Sequence, residues 1–578
     1  SFKTLDDHVA IINNPLIKSF SHAGEIFRSS FFGGNTYYRP LVSFSHLLEH
    51  HFFGLDPFYF NLTNLILHIL STIGVFYLID LTLRDKHRAL LISGLFAIHP
   101  VQWEAVSNVA GRSILLCAVF YIYAFLFFYL SMIGRKRIFF YALSLIFFGL
   151  SLLCKESAVV FPLVIGLWLA QRVPLGPQRI YRWLWLIPFL GVDAGYLFLR
   201  KILGITQIFW WGSFRELLLG VITFFRSLFT HLKILVWPVD LYFDRSQPVF
   251  QSFLKPETIL TVAALIVVVG FFLRGRDRIK ESTRFFLGWF LIALIPVSQI
   301  VPVLTQPGWI AAADHFLYIP SVGFFAVAVI FFQWIVQEAK KRGILSKGIF
   351  YFCAAGLYIF FFLLTVQQTI YASQEIAMFE HSLRFNPQNL RVRTSLGLAL
   401  AKERLFQEAA GEFRKVLAAD AGDVRAAIGL GKALCDQEKF WEGIREYERI
   451  QDAGPSKELL EDNLKRTYGI LLERYLALRE RDPRNPQIYY SIGVVYSKLD
   501  LPHQAIGHYE KALELDPDFK NALFNLASSL EAVGDWGAAA GYYQRMLALE
   551  KAEDPHLDEH ASRHLAVLQE RLKGKGLR

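Results

Sequence analysis

Residues 95–112 read LFAIHPVQWEAVSNVAGR. The run enters as apolar as LFAI and then takes on His99, Glu104 and Arg112, which in a water-soluble protein would mark a helix end and nothing more. The surrounding chain decides otherwise. Its 578 residues are 54% hydrophobic and 15% aromatic, only 19% are charged, and the mean hydropathy is +0.34, whereas soluble domains carry about 25% charged residues. Apolar stretches recur near 58–80, 89–99, 113–133, 138–154, 157–170, 181–200, 217–237, 258–273, 284–301, 315–336 and 348–371. They approach the roughly 20 residues that a bilayer core requires, the shorter ones by tilting or with help from neighbouring residues. The quoted stretch therefore leaves a span and turns polar at a membrane face.

Nearly all of the Phe and Trp precede residue 373, and the remainder of the chain has the charged, Ala- and Glu-rich character of a soluble protein. The expected division is a multi-span membrane domain over 1–372, a linker over 373–385 and a soluble helical domain over 386–578. The net charge of +10 does not point to nucleic acid, because the basic residues sit in short clusters between spans: RDKHR at 84–88, RKR at 135–137, RGRDRIK at 274–280 and KKR at 340–342. That is the positive-inside pattern. With these clusters and the stretch 171–183 in the cytoplasm, residues 1–57, 99–112, the CKES turn at 154–157, the loop 302–314 and everything after 372 fall outside. The segment 217–237 breaks the alternation, since it would have to cross alone between two outside loops. Carrying Arg226, His231 and Lys233, it is expected to dip in and return or to lie partly in the interface. The opening SFKTLDDHVAIINNPL has no hydrophobic run, so a first transmembrane helix is expected ahead of Ser1. The four cysteines, Cys117, Cys154, Cys353 and Cys435, are scattered and form no disulfide framework.

Ionisable groups at membrane depth cost several kcal/mol, so they face a cavity or a partner. Five polar patches fall on the outside face: DDH at 6–8, HPVQWEAVSNVAGR at 99–112, KES at 155–157, FDRS at 243–246 and ADHFLYIPS at 313–321. Carboxylates, cations and aromatics converging there suit an anionic and a sugar-like ligand. Asp6 and Asp7 are paired carboxylates, one fit to act as general base with the other raising its pKa or orienting it. Pro100 frees the backbone at the span end, so 102–111 can run as a short surface helix that puts Glu104, Asn108 and Arg112 on one face. The bland readings are an N-cap for the acidic pair, a Glu104 to Arg112 ion pair, and interfacial snorkelling for Lys155 and Glu156. Their common side favours a site.

In this order the residues resemble the transmembrane and tetratricopeptide-repeat O-mannosyltransferases, a family of the C-type glycosyltransferase (GT-C) fold class. The likeness runs through DDHVAIINNP, YYRPL at 37–41, FNLTNLILHIL at 60–70, LFAIHPVQWEAVSNVAGR, CKESAVVFP at 154–162 and LYIPSVGF at 317–324. It implies an all-α polytopic membrane enzyme with two substrates, a dolichyl- or undecaprenyl-type polyprenyl-phosphate sugar as donor and a protein hydroxyl as acceptor. Family members commonly carry Arg where this chain has His315, which exchanges a permanent cation for one that titrates near neutrality. The mechanism so implied has Asp7, or its neighbour Asp6, as base, with Arg112, Lys155 and His315 on the departing phosphate. His99, Glu104, Glu156, Arg39, Asp314 and Tyr318 would shape the site or touch substrate. Direct attack inverts the anomeric centre. Because a monophosphate donor demands little charge neutralisation and no regular ligand spacing is visible, no metal and no tightly bound cofactor is expected.

From residue 386 the chain repeats at 34 residues, pairing Gly397 with Gly431, Phe413 with Tyr447, Tyr490 with Phe524 and Tyr509 with Tyr543. This is the tetratricopeptide period, and it predicts an α-solenoid with a terminal capping helix near 556–573. Such an array suits capture of a protein or peptide acceptor on the periplasmic or ER-lumenal side. Two other classes stay open: a transferase of the same fold that acts on a lipid or glycan, and a non-enzymatic membrane scaffold.

Overall fold

A computed structural model describes the chain except residues 1–6, 32–35, 173–182, 207–210, 276–278, 307, 343–346, 451–456, 550–554 and 575–578. Among the described residues the regular structure is helical apart from three short strands, and the chain divides into two compact units, Ser1–Ala399 and Leu400–Arg578.

The first unit builds on long apolar helices. Helix α1 (Pro40–Phe53) and α2 (Pro57–Leu83) start on Pro at the first turn, which suits a position whose N–H has no intrahelical partner. Asp56 caps α2 by accepting from the Phe58 N–H. Then follow α3 (Lys86–Ile98), α4 (Arg112–Ile133), α5 (Arg137–Leu152), α6 (Phe161–Arg172), α7 (Ile187–Ile202), α8 (Phe214–Val236), α9 (Pro256–Gly275), α10 (Glu281–Ala293), α11 (Pro320–Lys341), α12 (Lys347–Ser373) and α13 (Glu375–Phe385). Among the described residues, five helices are long and apolar enough to cross a membrane: Pro57–Leu83, Val109–Ile133, Phe214–Val236, Pro320–Lys341 and Phe352–Ser373. The pair Lys86–Ile98 and Pro100–Ser107, bent by 51°, makes a sixth if taken as one broken span. The remaining expected spans are shorter helices, among them Arg137–Leu152 and Pro256–Gly270.

Three aspects differ from the sequence reading. Residues 102–111 do not form one surface helix; after a 3-10 turn at Pro100–Gln102 come a short helix at Trp103–Ser107 and a second 3-10 turn at Val109–Gly111. Gly111 packs so closely on the Ala105 carbonyl that no Cβ fits, and this fold-back takes Glu104 and Arg112 off a common face. The segment around 217–237 does not dip and return, for α8 is one unbroken helix of 23 residues. Finally, residues 373–385 contain α13, which continues into the packing of the first unit, while the division between units falls after Ala399.

Irregular chain runs back alongside α8. Arg226 donates to the Gln247 side chain at 2.7 Å and to the Pro248 carbonyl at 2.6 Å, the Phe250 N–H donates to Thr223 Oγ1 at 2.9 Å, and Arg215 donates to the Gln251 carbonyl at 2.7 Å. Within this return, β1 (Gln247–Pro248) pairs antiparallel with β3 (Trp309–Ile310), which also pairs with β2 (Leu304–Gln306).

The second unit stacks helix pairs from Phe406–Ala419 to Trp536–Ala548 and ends on Pro555–Gly574. Gly431 meets the Tyr447 ring and Gly493 the Tyr509 ring, each where a Cβ would collide. The 34-residue small and large positions are therefore packing partners within one repeat. Between the repeats, one 25-residue helix runs over Lys457–Arg481.

Candidate active site

Between α4, the turn after α5, the end of α10 and the start of α11 lies a small hollow, partly open to the outside. Its walls are mainly apolar, with Ile114, Tyr121, Val160, Pro296, Phe316 and Ile319 among them. Two side chains able to carry positive charge line it, Lys155 and His315. The sequence separates them by 160 positions, and the fold brings them to one hollow.

Lys155 precedes the 3-10 turn Glu156–Val160. Burial, and then the neighbouring Arg39 charge, lower its pKa to about 8 against the pull of Glu156, so the ammonium is mostly charged at neutral pH. Glu156 is gripped by Arg39, whose Nε and Nη2 donate to the two carboxylate oxygens at 3.0 and 2.6 Å. Burial alone would raise the carboxyl; the Arg39 charge and hydrogen bonds, with Lys155, bring it to about 2. Arg39 also lies 4.5 Å over the Tyr37 ring. This pair ties the YYRPL segment to the KES turn and fixes the backbone that aims Lys155.

His315 opens the second wall. Glu104 accepts from its backbone N–H at 3.1 Å and meets its Nδ1 at 2.8 Å, so the carboxylate that helical spacing sets beside Arg112 orients the imidazole instead. Next to it, Asp314 is buried, receiving Arg245 Nε at 2.7 Å and Trp103 Nε1 at 3.4 Å. Burial raises the Asp314 carboxyl and the nearby Glu104 adds to this, opposed by Arg245. Arg245 is visible in the sequence only as part of the FDRS patch; nothing in that patch says which carboxylate it would meet.

Other expected residues do not line this hollow. Arg112 is wholly buried, donating to Asn64 Oδ1 at 2.5 Å, the Phe60 carbonyl at 2.8 Å and Ser45 Oγ at 3.3 Å, and its ion partner is Glu49 at 2.9 Å. The cavity wall does not include it. Its donors are turned to helix packing. His99 is likewise internal: Nδ1 accepts from the Val101 N–H at 3.2 Å and Nε2 donates to the Leu235 carbonyl at 3.2 Å, which fixes the tautomer. Tyr318 is buried, its hydroxyl 2.7 Å from His68 Nδ1, and it braces α2 against α11 rather than facing the cavity. Asp7 is buried with Oδ1 accepting from the Ala110 N–H at 2.8 Å, which ties the first loop to the 99–112 segment. Asp6 lies outside the described residues. Among those residues no group of three His, Cys, Asp or Glu side chains is placed to hold a metal ion.

Comparison with known proteins bears on both parts of the chain. Residues 383–458, 486–519 and 522–555 match tetratricopeptide repeats. Protein O-mannosyl-transferase TMTC3 of Homo sapiens is 22% identical over 640 residues, covering 92% of this chain and 67% of the relative. The chain resembles the TMTC protein O-mannosyl-transferases. Tmtc3 of Drosophila melanogaster is 23% identical over 90% of this chain and 62% of its own length. TMTC4 of Homo sapiens is 27% identical over 68% of this chain and 61% of its own. The chain thus spans about two-thirds of the length of these relatives. The likeness takes in the membrane helices as well as the repeats, because alignment over nine-tenths of the chain cannot avoid them.

Proposed function

We propose that the chain is a glycosyltransferase that moves mannose from a polyprenyl-phosphate donor to Ser or Thr of proteins, with inversion, at the periplasmic or ER-lumenal face of a membrane. The observation that carries this reading is the cavity where apolar walls meet Lys155 and His315. A polyprenyl phosphate has the same two parts, an apolar chain and an anionic head. The names of the relatives supply the sugar and the acceptor class.

In the reaction the acceptor oxygen attacks the anomeric carbon as the bond from that carbon to the phosphate oxygen breaks. The electron pair leaves with the phosphate, where Lys155 and His315 meet the growing charge. Glu104 holds the imidazole in place. The hydroxyl proton goes to Asp7, whose carboxylate the Ala110 amide orients. No acid need protonate the leaving group, since a phosphate monoester departs as a stable anion. The tetratricopeptide array gathers the polypeptide acceptor.

The test is transfer of radiolabelled mannose from polyprenyl-phosphate-mannose to native host proteins by the purified full chain, alongside Asp7→Asn and Lys155→Met. Label on protein with the unaltered chain, lost in both variants, is the expected result. Label only on lipid or glycan would move the acceptor assignment. No transfer from any polyprenyl-phosphate sugar by folded protein would overturn the enzyme reading in favour of a scaffold.

A further inference from the structure

The segment Asp240–Ser246 is irregular, with Asp240 and Asp244 both at positive φ (59° and 56°), a conformation that non-glycine residues hold only when surroundings enforce it. Two sets of contacts enforce it. On one side Arg245 donates to Asp314 at 2.7 Å and to the Asp240 carbonyl at 3.0 Å, with its guanidinium 4.0 Å over the Tyr242 ring. On the other side the chain after α12 grips the same segment. Ser382 Oγ accepts from the Phe243 N–H at 3.0 Å, Asn386 donates to the Ser246 carbonyl at 2.8 Å, and Asn389 donates to the Asp244 carbonyl at 3.3 Å. Phe385 stacks on Tyr242 at 4.8 Å with the rings 2° from parallel.

We propose that Arg245 is a positioning residue for His315, and that Ser382–Asn389 sets Arg245 by clamping the segment that carries it. The line of contact is continuous. Asn386 and Phe385 fix residues 242–246, Arg245 fixes Asp314, and Asp314 shares its 3-10 turn with His315, whose ring Glu104 holds from the opposite side. Arg245 is nearly fully buried, with Nε on Asp314 and Nη2 on the Asp240 carbonyl, so it acts through Asp314 and not on a ligand. The consequence is that the start of the repeat region shapes the candidate phosphate pocket. That function of the pocket rests on the proposed donor; the positioning does not.

Carbethoxylation of His315 by diethylpyrocarbonate, followed by peptide mass spectrometry on the full chain in lipid nanodiscs, reads the geometry without needing turnover. The F385A/N386A double variant is expected to raise His315 modification severalfold, to match the effect of Arg245→Gln, and to add little on top of it. Sites in one chain of contacts are non-additive, whereas independent ones add. Exposed His503 in the second unit should be unchanged, which separates this effect from general unfolding. Unaltered His315 reactivity in F385A/N386A, or strictly additive effects, overturns the proposal. Undecaprenyl phosphate added to the unaltered chain tests the donor reading separately. Protection of His315 supports that reading, and lack of protection removes it while leaving the positioning result to stand on the variants.

Discussion

Lys155 is the residue on which the donor reading makes its sharpest demand. Its pKa near 8 lies below the ordinary lysine value, so the charge is complete below that pH and is lost as pH rises through it. Affinity for undecaprenyl phosphate is therefore expected to fall between about pH 7.5 and 9, measured by titration across that range, and Lys155→Arg should hold its affinity to higher pH. Arg39 makes a different kind of contribution. Arg39→Ala strands a carboxylate that is two-thirds buried, and breaking a buried pair costs about 3–5 kcal/mol, which partial exposure of Glu156 reduces to about 2–3 kcal/mol. A matching drop in thermal midpoint is expected. Since pairing lowers the folded-state pKa of Glu156 to about 2, the stabilisation is full above its ordinary value and fades as pH falls towards 2. Both residues stand out in the sequence as charges beside apolar spans. Their partners do not, because an ion pair between positions 39 and 156 depends on how α1 and α6 are brought together.

At the scale of elements, α8 shows how composition and surroundings can disagree. It is long and apolar enough to cross a membrane, yet irregular chain lines it from Thr223 back to Arg215, its backbone groups bonded to α8 side chains. Its other end is tied to the broken segment 99–112 through the Leu235 carbonyl and His99. An interfacial placement is the expectation that restores the alternation of the basic loops. Single cysteines at Arg215 and Lys233 in a chain without its native cysteines should both react with a membrane-impermeant maleimide from the same side of sealed vesicles; reaction from opposite sides would establish a crossing. The broken helix at 99–112 carries a related lesson. Pro100 marks the interruption, but the fold-back that sends Glu104 to His315 and Arg112 to Glu49 comes from the contact of Gly111 with Ala105, which helical spacing does not express.

For the molecule as a whole, the first unit includes the beginning of the repeat region. A chain ending at Ser373 loses Ser382, Asn386 and Asn389 and with them the support of residues 240–246, whereas one ending at Lys402 keeps it. The longer truncation is expected to stay monodisperse in detergent with a thermal midpoint close to that of the full membrane unit, and the shorter to melt several degrees lower. The all-α class, the apolar helices, the 34-residue repeats and the candidate residues Lys155, Glu156, Asp314 and His315 are all legible in the amino-acid order. They follow from hydropathy, periodicity and motif, which are properties of neighbouring positions. Three facts required the folded chain: Lys155 and His315 share a cavity, Arg112 is enclosed with Glu49, and Arg245 holds Asp314. Side-chain pairing over tens to hundreds of residues is chosen by helix packing and by the need to satisfy every buried charge, and no local pattern in the chain encodes that choice.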